Sequence, residues 1–293
     1  MDVDTRVLRY FVTVAERLSF TEAAKELFVA QPSLSRQIRR LEERLGADLF
    51  TRPGVRLTPA GEQLLAAARR HLTEWQETTR LVRTTAAAGR NVLRVGFVVA
   101  GGGPLARRAR AALTARRPEV TVEPKRFEWA GETQALRDGQ VDVAFVWLPA
   151  DLHGLRSEVV ATEPRCVAVA STHRLAARES VGIADLREEP IGWTEVAPAA
   201  WVDWWAVNPR PDGSAPVWGP KNDNVDEMLE HVATGAAVCI GARSMAEYYA
   251  HPELKWLPIT DVEPLRIALA WPTGTVNPLV GEFVRAVREV ATG

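Results

Sequence analysis

The sequence predicts an all-α winged helix-turn-helix at the N-terminus, then one long linker helix, then an α/β domain. Three observations carry this prediction. Helix caps and a prolyl helix start crowd into the stretch from Ser19 to Pro32. A stripe of apolar and small residues recurs at near-heptad spacing between Leu64 and Val82. From Asn91 onward, short apolar runs alternate with helical patterns, as in a sheet covered by helices. The expected boundaries are 1–58, 59–90 (linker helix and hinge) and 91–293.

The first helix is expected over Thr5 to Leu18, where Val7, Leu8, Phe11, Val12, Val14 and Ala15 repeat with helical spacing. Ser19, with Glu22 three residues on, reads as a capping box in which each side chain takes one orphan N–H. Ala23 and Ala24 allow a neighbouring helix to approach closely. A third helix opens at Gln31-Pro32, because the missing prolyl N–H costs nothing in the first turn. Leu34, Ile38, Leu41 and Leu45 would face inward, and Gly46 would end the helix. Ser33, Arg36, Gln37 and Arg40 fall on the wet side, flanked by Ser35 and Arg39. This is chemistry for a major groove: Arg and Gln match base edges, while Ser and backbone N–H groups hold phosphates. Taken alone, RQIRRLEER reads as a solvated helix face. The residues after it argue otherwise: DLFTR and VRLT read as two short strands around Pro53-Gly54. Such a wing would bring Arg52 and Arg56 near a DNA backbone.

The run SFTEAAKELFVAQPSLSRQIRRLEERLGADLFTR, continuing to VRLTPAG, resembles the DNA-binding segment of the LysR-type transcriptional regulators over about residues 5 to 61. The resemblance implies that Gln31, Pro32, Ser33, Ser35 and Arg36 contact double-stranded DNA from the recognition helix, with Arg39 beside them. It assigns Arg52 to the wing contact, next to Arg56. The wing is shorter than is common in that family, which implies a narrower minor-groove contact.

Thr58-Pro59 is a second cap and prolyl start, and the helix is expected to run to about Thr85. Its stripe is Leu64, Ala68, Leu72, Trp75, Thr79 and Val82. A polar helix of this length needs a partner. Two readings stand: packing on its own domain, or a dimer contact through Leu64, Ala68, Leu72, Trp75 and Val82. The resemblance favours the second and implies a homodimer or homotetramer. A hinge is expected over Thr84 to Asn91.

Beyond the hinge, NVLRVGFVVA, EVTVEPKRFEW and VDVAFVWL read as strands separated by helices, which argues for a parallel sheet. A second cycle runs through CVAVAS, PIGW, NVDEMLEHVATG and AAVCIG, and the chain closes on a strand and an amphipathic helix. LRVGF and LRDGQVDVAF resemble the effector-binding domain of the same family, which is built like a periplasmic solute-binding protein. This implies two subdomains, 91–161 with 266–293, and 162–265, holding a small organic effector between them. Candidate effector residues are Ala100, Gly101, Gly102, Trp129, Thr133, Trp147, Trp193, Thr194 and Asn222. Gly101 to Gly103 could cradle an anion or be a flexible turn, but they have neither P-loop nor dinucleotide spacing. The hydroxyls that the family often offers fall on Ala100 and near Trp129. That points to a larger or aromatic ligand rather than a small hydrophilic carboxylate. The tryptophans also read as core packing, and Asn222 as a helix cap.

Composition bounds the alternatives. The 293 residues are 46% hydrophobic and 25% charged, with a net charge of −1, as in ordinary globular proteins. Residues 1–90 carry 15 basic and 11 acidic side chains, and the remainder 21 and 26. The excess at the N-terminus permits a nucleic-acid module. No apolar run is long enough for a membrane span, and no secretory signal is legible, so a cytoplasmic protein is expected. Cys166 and Cys239 read as buried thiols, and the arginines from Arg107 to Arg117 as a solvated helix face. No metal spacing, cofactor motif or catalytic constellation is visible. The competing readings are a small-molecule binder without a DNA role and an α/β enzyme.

Overall fold

The computed structural model describes residues 4–51, 53–99 and 102–292. The chain forms two compact units, one ending at Thr79 and the other beginning at Arg80.

The first unit holds α1 (Thr5–Arg17), α2 (Phe20–Glu26), α3 (Gln31–Leu45) and most of α4 (Pro59–Ala88). Asp4 caps α1 by accepting the Arg6 N–H at 2.8 Å. Ser19 Oγ accepts the Glu22 N–H at 3.3 Å, but the expected capping box is only half made. Lys25 Nζ takes the Glu22 carboxylate at 2.9 Å, so that side chain does not reach back to Ser19. Phe11, Val14, Ala23, Ala24, Leu34 and Ile38 form the core where the three helices meet. Gly46 closes α3 with φ +66°, and Leu45 is only half-buried. Glu42 is buried instead, and the wing explains why. Its Oε1 accepts the N–H groups of Leu49 at 2.9 Å and Phe50 at 3.3 Å.

The wing is smaller than the two strands expected. It is a single bridge between Phe50 and Leu57, flanked by Thr51 N–H to Arg56 O at 2.8 Å and Thr58 N–H to Leu49 O at 3.0 Å. The connection is too short for a longer ladder, and Pro53 has no N–H to add to one. Thr58 Oγ1 then caps α4 by accepting the Gly61 N–H at 3.0 Å. Gly61 is required there, because a Cβ would lie 2.2 Å from the Leu49 carbonyl oxygen.

Helix α4 continues to Ala88, three residues past its expected end. The stripe along it divides. Ala68 is buried and Leu64 and Leu72 are half-buried against the core of their own domain, so this part of the stripe serves at least the packing reading. Spacings of four residues serve an intramolecular helix contact as well as an intermolecular one. Trp75 and Val82 stay 54% and 64% exposed.

The second unit is α/β, but its sheets are mixed rather than parallel. Its elements begin with β1 (Val92–Phe97), α5 (Gly103–Arg116), β2 (Thr121–Arg126), α6 (Glu132–Arg137), β3 (Val143–Leu148) and β4 (Leu155–Glu163). They continue with β5 (Arg165–Ala170), β6 (Ile191–Trp193), α7 (Ala199–Ala206), β7 (Trp218–Lys221), α8 (Val225–Ala233) and β8 (Cys239–Ala242). The last are α9 (Arg243–Tyr248), β9 (Leu254–Pro258), β10 (Leu265–Pro272) and α10 (Pro278–Thr292). The first sheet has the order β2-β1-β3-β10-β4, and only β2, β1 and β3 run parallel. Strand β10 pairs Arg266 with Leu148, at the end of β3 where the chain returns from the second subdomain. It therefore runs back antiparallel without a crossover helix. The second subdomain has the antiparallel sheet β8-β5-β9 and the short parallel pair β6-β7. The chain passes between subdomains at Pro164 and again between Pro258 and Leu265.

Strand β3, and β5 after its first residue Arg165, are unbroken apolar runs because both faces are covered. Cys166 and Cys239 lie buried on the adjacent strands β5 and β8, and burial pushes their thiols up to about 11 and about 12. The arginines of α5 are partly spent on α10: Arg116 pairs with Glu289, and Arg117 with Glu282 at 2.7 Å. The end of α4 is tied to this unit by Arg83 Nη1, which donates to Asp138 O at 2.8 Å.

Candidate functional site

Two regions gather the residues singled out in the sequence. The first is the start of α3. Ala30 precedes it in extended conformation and offers no side-chain cap; its carbonyl accepts the Ser33 N–H at 2.9 Å and the Leu34 N–H at 3.1 Å, and Pro32 has no N–H to satisfy. Gln31, Pro32, Arg36, Arg39 and Arg40 are exposed, while Ser33, Ser35 and Gln37 are half-buried. Gln31 Nε2 donates to Ser35 Oγ at 3.0 Å, which holds the amide over the helix start. Among the described residues no carboxylate lies within ion-pair distance of Arg36, Arg39 or Arg40. Arg56 is exposed on the wing, and Arg52 lies outside the described residues. Phe28, in the turn before α3, holds φ +52° and is 95% exposed, and nothing in the local sequence pattern announces it.

The second region is the cleft between the two subdomains of the second unit. Trp129, Trp147, Trp193, Thr194 and Asn222 line one cavity there. Trp129 lies shortly after β2, Trp147 is next to last in β3, and Trp193 ends β6, so all three stand at or just past strand ends. The structure adds Trp201 and Trp205 from α7, Trp218 from β7, and Met228, Ile240 and Met245. Helix α7 is not among the expected elements, although Trp201, Trp204 and Trp205 have the helical spacing that could have revealed it. Rings from the two subdomains meet in pairs. Trp129 and Trp201 have centroids 5.7 Å apart, and Trp147 and Trp205 5.4 Å. These contacts leave a cavity of about 40 Å³, room for a few waters.

The remaining candidates sit elsewhere. Gly102 adopts φ +77° and lines a smaller neighbouring void that shares Trp147. Thr133 is buried in α6 and is not among the residues that line this cavity. Asn222 caps no helix. Its Nδ2 donates to Trp193 O at 2.8 Å, whereas Asn224 caps α8. Thr194 Oγ1 accepts the Val196 N–H at 3.1 Å. Ala100 and Gly101 lie outside the described residues. Among the described residues no cluster of His, Cys, Asp and Glu side chains could hold a metal.

Glu132, at the start of α6, is buried, and desolvation pushes its carboxyl up to about 7. The raised value means that folding favours the protonated acid. Its contribution is fully present below the ordinary value of 4.5 and is lost as pH rises through about 7. Denaturant titrations should show stability falling by roughly 3 kcal/mol between about pH 5 and pH 8. Glu132→Gln should flatten that dependence; an unchanged slope would assign it to other groups.

Comparison with known proteins identifies both domains. The profile of the bacterial regulatory helix-turn-helix protein, lysR family, matches residues 5–62, and that of the LysR substrate binding domain matches residues 86–292. The small neutral protease regulatory protein of Streptomyces coelicolor is 36% identical over 82% of this chain and 68% of its own. The regulator AlsR of Bacillus subtilis is 34% identical over 68% of this chain and 66% of its own. The chain thus spans about two thirds of the length of these relatives. Full-length BenM (the R156H mutant) superposes with a TM-score of 0.58 at 26% identity, covering 99% of this chain and 96% of that one. CbnR bound to its target DNA superposes with a TM-score of 0.57 at 25% identity, covering 99% and 100%. An exposed, cation-bearing helix start beside a short wing, and a two-subdomain cleft behind it in sequence, are the two parts these profiles describe: the chain belongs to the LysR family of helix-turn-helix transcription regulators.

Proposed function

We propose that the chain reads double-stranded DNA through the start of α3 and senses a small organic effector in the tryptophan cleft. The observation that carries this is the set of three exposed arginines, Arg36, Arg39 and Arg40, on a helix whose first N–H groups have no side-chain cap. Ion-paired arginines would read as a solvated face; these have no carboxylate among the described residues. Gln31, Pro32, Ser33, Ser35 and Arg36 would enter the major groove, with Arg39, Arg52 and Arg56 toward the backbone.

The domain roles follow: 1–58 for DNA, 59–90 for dimerisation and hinge, 91–293 for the effector. Trp75 and Val82 are the exposed part of the linker stripe and would meet a second copy in a homodimer or homotetramer. The cleft supports binding rather than catalysis, since among the described residues its lining holds no acid, base or thiol beside the Thr194 hydroxyl, which accepts the Val196 N–H. No helix among the described residues is long and apolar enough to cross a membrane, and a cytoplasmic location fits a DNA ligand. An effector acts here only if it binds the open and closed cleft with different affinity.

The test is retention on double-stranded DNA against salt. With about six phosphate contacts, affinity should fall about 10³-fold between about 50 and 200 mM salt. Retention that ignores salt, or its absence at low salt, would sink the DNA reading.

A further inference from the structure

Building on the reading of the tryptophan cleft as the effector site, we propose that it selects an uncharged aromatic ligand bearing both a hydrogen-bond acceptor and a donor, as a carboxamide does. Carboxylate and ammonium analogues of the same shape are rejected. Three observations converge on this class.

The first is the absence of charge. No Asp, Glu, Lys, Arg or His is among the side chains lining the cavity. A carboxylate entering it would lose its water and meet no counter-charge. Arg165, a buried cation, does not line the cavity. It lies over Trp204 at 4.2 Å and donates to the Trp204 and Trp205 carbonyls.

The second is a set of unmet polar atoms. Trp129 Nε1 and Trp205 Nε1 are buried donors without partners, and Asn222 Oδ1 is a buried acceptor without one. All three residues line the same cavity. The bond from Asn222 Nδ2 to Trp193 O settles which amide atom is left over. Buried polar groups are otherwise almost always paired, so two donors and one acceptor around one space describe their missing complement. A carboxylate has no N–H for Asn222. An ammonium has no acceptor for the indoles, although aromatic faces alone would attract it.

The third is the way the cleft is shut. A cavity of about 40 Å³ cannot hold an aromatic ring. Parting Trp129 from Trp201 and Trp147 from Trp205, the ring pairs that join the two subdomains at this cavity, would make that room. An aromatic ligand replaces the ring contacts it breaks, whereas an aliphatic one does not. Binding and subdomain opening are then one event.

The test titrates the full chain with benzamide, benzoate and benzylammonium by calorimetry. Benzamide should bind at least about tenfold more tightly than either charged analogue. Trp129→Phe keeps the ring and removes the N–H, and it should weaken benzamide about fivefold. Thermal melting confirms that the variant is folded. If benzoate or benzylammonium binds as tightly as benzamide and Trp129→Phe or Trp205→Phe still alters binding, the ligand class is wrong and the site stands. If benzamide binds and neither variant changes it, the ligand lies elsewhere and both readings fall. No heat from any of the three overturns the proposal.

Discussion

Replacing Arg36 by alanine should weaken binding to a double-stranded DNA site selected with the full chain by about 10- to 100-fold, with no change in melting temperature. Arg36 is exposed on the wet face of α3, one turn past the prolyl start. It has no carboxylate partner among the described residues and does not belong to the core, so removing it leaves nothing unmet in the fold. A bidentate base contact is worth roughly 1–3 kcal/mol of discrimination, which is the source of the expected factor. Footprinting at fixed salt measures it. Loss of the footprint with non-specific affinity retained would assign Arg36 to a base edge. A uniform loss on all DNA, with a shallower salt slope, would assign it to a phosphate. An unchanged footprint would move recognition off α3. Arg40, farther along the same face, serves as the comparison and should cost less.

Asp142→Ala should destabilise the second unit by about 3–5 kcal/mol, read as a lower denaturant midpoint at an unchanged slope. The Asp142 side chain is fully buried, and its partner Arg94 is only 12% exposed. Asp142 accepts Arg94 Nη2 at 2.7 Å, Arg94 Nε at 3.1 Å and the Arg94 backbone N–H at 2.8 Å. Its removal strands a buried guanidinium that keeps only the Gly139 carbonyl at 2.6 Å. Replacing Arg94 and Asp142 together by apolar residues should cost less than Asp142→Ala alone, because no uncompensated charge then stays inside. Equal costs would show that packing, not charge, dominates the site.

The part of this protein legible in one dimension is the part held by local rules. Caps, prolyl starts and a C-terminal glycine act within one or two turns, so Ser19, Pro32, Gly46 and Thr58 mark helix ends before any fold is known. The face of α3 that carries Arg36 and Arg39 follows from the same 3.6-residue period that buries Leu34 and Ile38. Other features needed the third dimension. Glu42 looks like one more surface carboxylate until the wing folds back and lends it two N–H groups. Leu64, Ala68 and Leu72 have a period that fits either their own core or a second copy, and only the folded chain shows that they pack on their own core. Strand β10 runs antiparallel because of where the chain re-enters the first subdomain, a matter of long-range path rather than local preference. The tryptophan cleft is the clearest case. Trp129 and Trp201 lie on different subdomains and meet only when the chain has crossed between sheets at Pro164 and returned after Pro258. The sequence alone thus determined α3 and its exposed, arginine-bearing face, since local backbone chemistry suffices for it. The tertiary structure alone decided which rings share a cavity and which polar atoms there go unmet, since those depend on contacts between residues far apart in the chain.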